Sequence, residues 1–146
     1  MKVALDTVIL AYAEGVNGPS HRISARAVLD RLLGHSVILP VQVLGELFNV
    51  LVRKAGHSPS DARLAVVSWT NAYAMVDTSP AIVLAAADLA LNRFSIWDAV
   101  IVCAAAEAGC RMLLSEDMQD GFVWRGVTIV NPFAKTKHPL LQGLMP

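Results

Sequence analysis

The sequence has no excess of charge of either sign: twelve lysines and arginines offset twelve aspartates and glutamates, for a formal net charge of zero. A partner captured by bulk positive charge, such as non-specific duplex DNA or an anionic membrane surface, is therefore not expected. A nucleic-acid substrate would have to be held by a local patch or by bound cations. Charged residues are scarce, 16% of the chain against 55% apolar, which excludes general disorder and favours self-association or a protein partner. Long apolar runs are missing too: the longest, 99–106, falls far short of the roughly 18–20 residues that span a bilayer. Met1-Lys2 and the apolar residues after it imitate a secretory signal, but Asp6 interrupts the would-be apolar region. Cysteine is nearly absent. Cys103 and Cys110 lie in a stretch of helical pattern that sets them roughly 10 Å apart, beyond the reach of a disulfide. A cytoplasmic location is the expectation. The four histidines, at 21, 35, 57 and 138, show no metal-ligand spacing. At 146 residues, with no internal repeat, the chain fits one domain.

What is present is an alternation of short apolar runs and amphipathic stretches. The runs 3–5, 37–39, 75–76, 112–114 and 127–130 predict five buried strands. Helices are predicted over 7–13, 20–33, 41–54, 58–74, 79–91 and 95–109. Ser58-Pro59-Ser60-Asp61 forms a capping box with proline at the first helical position, and Gly34 and Gly56 mark helix ends. Over 41–54, Val41, Leu44, Leu47, Phe48 and Leu51 fall on one face. Short apolar strands separated by helices predict an α/β fold, a three-layer α/β/α domain around a parallel sheet of about five strands; if their order is 3-2-1-4-5, strands one and four are neighbours. Residues 131–146, with three prolines, two lysines and no clear period, read as a tail.

Four glutamates and eight aspartates are few enough to weigh singly. Asp30, Asp61, Asp77, Asp88, Glu14 and Glu107 sit near helix ends or on polar faces and read as solvated surface. Asp6 directly follows the first strand, at the edge of a parallel sheet where ligands bind. It also suits the cap of the next helix. Asp117 follows the fourth strand in the same way, and the strand order would bring it out beside Asp6. A polar turn ended by Gly121 is the plainer account of it. Asp98 stands three residues after Ser95, a capping-box position, in a helix that is otherwise apolar to Ala106. Capping and metal binding are compatible there. Glu46 lies mid-helix between Leu44 and Leu47, where a carboxylate must be solvated, paired or coordinated. Acids converging on one rim repel one another unless cations neutralise them. Oxygen ligands without a His–Cys cluster suit Mg2+ or Mn2+ rather than zinc. A carboxylate-held divalent ion suits phosphodiester hydrolysis. A phospho-accepting receiver also carries an acid after its first strand, but neither its acid pair nor its late lysine is clear here.

The order and context of these acids resemble the PIN domain, particularly the VapC-type toxin ribonucleases of bacterial toxin–antitoxin pairs. Ala4-Leu5-Asp6-Thr7 with Ile9-Leu10 is similar to the family's first acidic motif, and Val43-Leu44-Gly45-Glu46-Leu47 to its second. Ser95-Ile96-Trp97-Asp98-Ala99 is similar to the third, and 114–121, with Asp117, to the fourth. Ile129-Val130-Asn131-Pro132-Phe133 resembles a common family ending. The resemblance runs from Lys2 to about Phe133, so we expect a nuclease-like domain over 1–133 and a tail over 134–146. It implies a Mg2+- or Mn2+-dependent endoribonuclease toxin of a type II toxin–antitoxin pair. Asp6, Glu46, Asp98 and Asp117 would hold one or two ions, Ser115 and Thr7 would assist, and Asp120 would act from the outer shell. It further implies an RNA substrate, a cognate antitoxin and a homodimer. One departure stands out: the family typically has asparagine two residues after the first acid, where this chain has Val8. Valine neither donates nor accepts a hydrogen bond. The alternative is therefore a weakened or inactive PIN-like module acting through protein or RNA binding. Arg22, Arg26, Arg53, Lys54, Arg93 and Arg125 are candidates for a basic rim, and Trp69, Trp97 and Trp124 for base stacking or packing.

Overall fold

Helices begin where the sequence supplies a cap and end where it cannot continue. Most strands form on short apolar runs that lie beside such helices. The computed structural model describes residues 1–144; Met145 and Pro146, the end of the expected tail, lie outside the described residues. In chain order the elements are β1 (Lys2–Leu5), α1 (Thr7–Ala13), α2 (Pro19–Arg31), β2 (Ser36–Pro40), α3 (Val41–Arg53), α4 (Pro59–Ala72) and β3 (Ala74–Val76). Then come α5 (Pro80–Leu89), a 3-10 turn (Ala90–Asn92), α6 (Ile96–Glu107), β4 (Met112–Leu114), β5 (Val123–Trp124), β6 (Val127–Val130) and α7 (Pro139–Gln142). The side chains of Ser58, Ser79 and Ser95 accept the backbone N–H of Asp61, Ile82 and Asp98 at 3.1, 3.2 and 3.1 Å. Pro19, Pro59 and Pro80 occupy first-turn positions, where a missing N–H costs nothing.

The sheet order is β3-β2-β1-β4-β6-β5, parallel throughout except for the antiparallel β5–β6 pair. The five expected strands stand in the expected order, with β6 as the fifth. The difference is β5, a sixth strand at the edge. It joins β6 through a two-residue turn in which Arg125 (φ 46°) and Gly126 (φ 87°) both take positive φ, the type I′ pattern of tight hairpins. Val3, Ala4 and Leu5 of β1 and all of β4 are fully buried, as central strands of a covered parallel sheet must be. α6 is buried from Ala99 to Ala105 and packs on β2, β4 and β6, with α5 against it.

Two local expectations change. The buried face of α3 is Val43, Leu47 and Leu51, while Val41 and Phe48 are each 37% exposed. α3 is apolar on most sides, so its periodicity leaves the orientation open and its packing against α1, α4 and α6 decides it. The segment after Phe133 includes α7, a helix of four residues, too short to show a period. Leu141 and Leu144 bury beside Val28 and Leu32 at the end of α2. Cys110 lies beyond the end of α6, and both cysteines are buried and free. No helix among the described residues is long and apolar enough to cross a membrane.

This topology creates one special edge. Leu5 pairs with Leu114, and the Asp6 N–H donates to the Leu114 carbonyl at 2.9 Å, so the chain leaves β1 and β4 side by side. β2 lies on one side of β1 and β4 on the other, which makes this the switch point of the sheet, where a crevice forms at the strands' carboxyl ends.

Candidate active site

Asp6 stands at that crevice and is only 4% exposed. It is the N-cap of α1 and accepts the Thr7 N–H at 2.7 Å. Its other oxygen accepts the Ser115 hydroxyl at 2.6 Å. Ser115 is fully buried, and its oxygen also accepts the Met118 N–H at 3.2 Å, which ties the turn after β4 to Asp6. Burial raises the Asp6 carboxyl from 3.8 to about 7. The bonds from Ser115 and Thr7 oppose that rise, and the charges of Asp98 and Glu46 add to it.

Glu46 projects from α3, and its carboxylate accepts the Thr7 hydroxyl at 2.5 Å and the Gln42 amide at 3.4 Å. Thr7 thus links the first two acids, one through its backbone and one through its side chain. Asp98 caps with its backbone, its N–H donating to Ser95. Half-buried, it is raised by desolvation and then by Glu46 and Asp117, while Ser95 holds it down. Asp117 is at the exposed rim. Partial desolvation and Glu116 raise it, and Lys54 pulls it down.

All four acids line one cavity of about 370 Å³, together with Thr7, Val8, Asn17, Asn49 and Lys54. Ser115 lies beneath it, in contact with Asp6. Asp120 is exposed, accepts the Asn131 N–H at 2.8 Å and is not on the cavity wall. Of the basic candidates, Lys54 lines the cavity, Arg26 donates to the Ala13 carbonyl at 3.2 Å, and Arg125 sits 5.3 Å from the Trp124 ring centroid. Trp69 is buried and donates to Glu14 at 2.7 Å, whereas Trp97 is 58% exposed. Sequence reasoning missed Tyr12 and Asn49. The Tyr12 hydroxyl donates to Glu116 at 2.5 Å, next to Asp117, and burial first and then Glu116 push it up to about 12. Asn49 had a visible signal: it is three residues after Glu46, hence on the same helix face.

The donors fit a hard divalent cation. Four carboxylates from four separate segments share one cavity, and the charges acting on Asp6 from around it are negative. Among the described residues no three His, Cys, Asp or Glu side chains stand in a ready-made metal-holding group. Drawing the carboxylates inward on an ion would relieve the mutual repulsion that adds to the effect of burial on Asp6 and Asp98.

The Ser115 bonds carry a testable stability. Ser115→Ala removes the donor to Asp6 and leaves the buried Met118 N–H unpaired, which costs about 1–3 kcal/mol. Denaturant unfolding in chelator should show that loss as a lower midpoint at unchanged slope; an unchanged midpoint would contradict it.

The family model for the PIN domain matches residues 3–119. The chain belongs to the PIN-domain family. Solved structures share its fold. A toxin–antitoxin complex from Klebsiella pneumoniae superposes with a TM-score of 0.65 at 19% identity, covering 90% of this chain and 98% of that one. The VapC20 toxin of Mycobacterium tuberculosis, described as cleaving the sarcin–ricin loop, gives 0.61 at 19% identity over 76% of this chain and 86% of its own. DNA-bound VapBC from Salmonella typhimurium gives 0.62 at 17% identity, with 88% and 96% covered. No curated protein sequence matches the chain significantly. The resemblance read from the acidic motifs is thus borne out as family and as fold: this PIN domain carries the expected sheet with one added edge strand.

Proposed function

We propose that this PIN domain is a divalent-metal-dependent endoribonuclease, the toxin of a type II toxin–antitoxin pair. The observation that carries the reading is the meeting of Asp6, Glu46, Asp98 and Asp117 in one cavity at the switch point of the sheet. These four residues would hold Mg2+ or Mn2+. When bound, such an ion supplies an activated water and neutralises the charge that builds on the scissile phosphate. The chain's own part is positioning. Thr7 holds Glu46 beside Asp6, Ser115 fixes the Asp6 carboxylate, and Lys54 offers the cavity's cationic edge to an approaching phosphate. Ile23, Leu33, Leu64 and Leu84 are 60–77% exposed, which supports association with an antitoxin and with a second copy of the chain. A cytoplasmic location fits this role. The direct test is incubation of cellular RNA with the purified protein and Mg2+ or Mn2+, with and without chelator. Discrete fragments that vanish with chelator support the reading; intact RNA throughout sinks it.

Val8 favours a second reading, a silenced module that acts through binding alone. It lines the cavity half-buried, two residues after Asp6, and offers the acids no hydrogen bond. A lost outer-shell partner costs a metal site about 10–100-fold. Val8→Asn should therefore raise cleavage about tenfold or more at saturating metal. Equal initial rates for the two proteins would remove Val8 as a brake.

A further inference from the structure

We propose that the open groove next to the carboxylate cavity is a nucleobase subsite, in which Trp97 stacks one unpaired base of the RNA strand whose backbone passes the acids. The proposal rests on the ribonuclease reading above and deepens it. The groove measures about 790 Å³, and its walls include Val41, Gln42, Phe48, Thr78 and Trp97. It adjoins the acidic cavity, since Glu46 and Asn49 line both.

Five observations converge on a flat, uncharged, polar-edged occupant. Trp97 precedes Asp98 in the first turn of α6 and is 58% exposed, unusual for a side chain that normally buries most of its surface. Phe48 and Val41, turned out of the core by the orientation of α3, offer further apolar surface in the same groove. Gly45 lines it with bare backbone, and a Cβ there would meet nothing within 4 Å, so a ring has room to lie against the helix. The polar groups suit a base edge: Gln42 and Asn49 present amides that both donate and accept. No lysine or arginine lines the groove, so it suits the base and leaves the phosphate to the cavity beside it. Aromatic faces beside a backbone track are how proteins hold single-stranded nucleic acid. A base held one step from the acids would set the register of the strand and make cleavage depend on an unpaired nucleotide.

The test is equilibrium binding by fluorescence anisotropy, with Mg2+, in an Asp98→Asn background so that the strand survives. The probes are a short labelled oligoadenylate and the same ribose–phosphate strand without bases. Trp97→Ala should weaken oligoadenylate binding about five- to hundredfold, Trp97→Phe should keep most of it, and the base-free strand should bind all three proteins alike. Gly45→Leu, which fills the groove without removing a contact, should mimic Trp97→Ala. Unchanged affinity of Trp97→Ala for oligoadenylate overturns the subsite. So does an equal loss on the base-free strand. A change in sedimenting mass with Trp97→Ala also overturns it, since the groove would then be a face between copies of the chain. Failure of the Trp97-bearing protein to bind oligoadenylate, together with intact RNA in the cleavage assay, overturns the ribonuclease reading and the subsite with it. Cleavage that persists while Trp97→Ala binds normally overturns the subsite alone.

Discussion

Asp98→Asn is expected to leave the protein folded and to lower metal-dependent RNA cleavage by at least about a hundredfold. The cap of α6 uses the backbone N–H of residue 98 and the side chain of Ser95, so the substitution leaves the helix start intact. Asparagine matches aspartate in shape, and the half-buried site tolerates it because removing the charge relieves repulsion from Glu46 and Asp117. The carboxylate itself is what the substitution removes. An outer-shell partner is already worth about 10–100-fold at a metal site, so a proposed direct ligand should be worth at least the top of that range. Initial rates on a labelled RNA, with thermal melts of both proteins alongside, separate loss of chemistry from loss of fold. A folded Asp98→Asn protein that cleaves at the wild-type rate would remove Asp98 from the proposed site.

Asp6→Asn should stabilise the metal-free protein, and only above mildly acidic pH. The Asp6 carboxyl ionises near pH 7 in the fold and near its ordinary 3.8 when unfolded. A carboxyl raised by folding penalises the folded state as it ionises. The penalty is absent below about pH 4, grows as pH rises towards 7, and is complete above it. The rise from 3.8 to about 7 corresponds to a ceiling on the order of 4 kcal/mol. Asparagine can still accept the Thr7 N–H and can donate to Ser115, but the Ser115 hydroxyl then loses its acceptor, so about half the ceiling is expected. Urea unfolding in chelator across this pH range should show Asp6→Asn the more stable by about 2 kcal/mol at alkaline pH and the less stable by about the same amount near pH 4, where only the lost bond counts. Added Mg2+ should narrow the gap, because only the wild type gains a ligand for it. A difference independent of pH would mean that Asp6 is ionised throughout and that burial does not govern it.

The parts of the fold legible in the sequence were those with a local signature. Serine caps with prolines behind them marked α4 and α5, and the Ser95 cap marked α6 within a residue or two. Five apolar runs marked five strands; their order was a supposition that went with the family resemblance, and the sheet bears it out. β5 was illegible because two residues carry no alternation and its turn is Arg125-Gly126 rather than the familiar Asn-Gly or Asp-Gly. Which side of α3 faces inward was equally hidden. That orientation decides whether Phe48 is core or groove wall. At the site, the four acids stood out because each ends or interrupts an apolar stretch. Their bonds depend on elements far apart in sequence, Thr7 with Glu46 and Ser115 with Asp6, as does the neighbouring bond of Tyr12 with Glu116. The bond from the Asn131 N–H to Asp120 needs β6 laid beside β4, which no local pattern around Asp120 reveals.

Whether the four acids hold an ion is tested most directly by calorimetric titration of Mn2+ into wild type, Asp6→Asn and Asp98→Asn in buffers of different ionisation heat. If the four acids hold the ion, Mn2+ binds the wild type and releases protons near pH 7, where Asp6 is about half protonated, with the release fading above about pH 8. Both substituted proteins should bind Mn2+ more weakly, and Asp6→Asn should release far fewer protons than the wild type. Titrations that match across the three proteins would place any bound Mn2+ elsewhere and contradict the account.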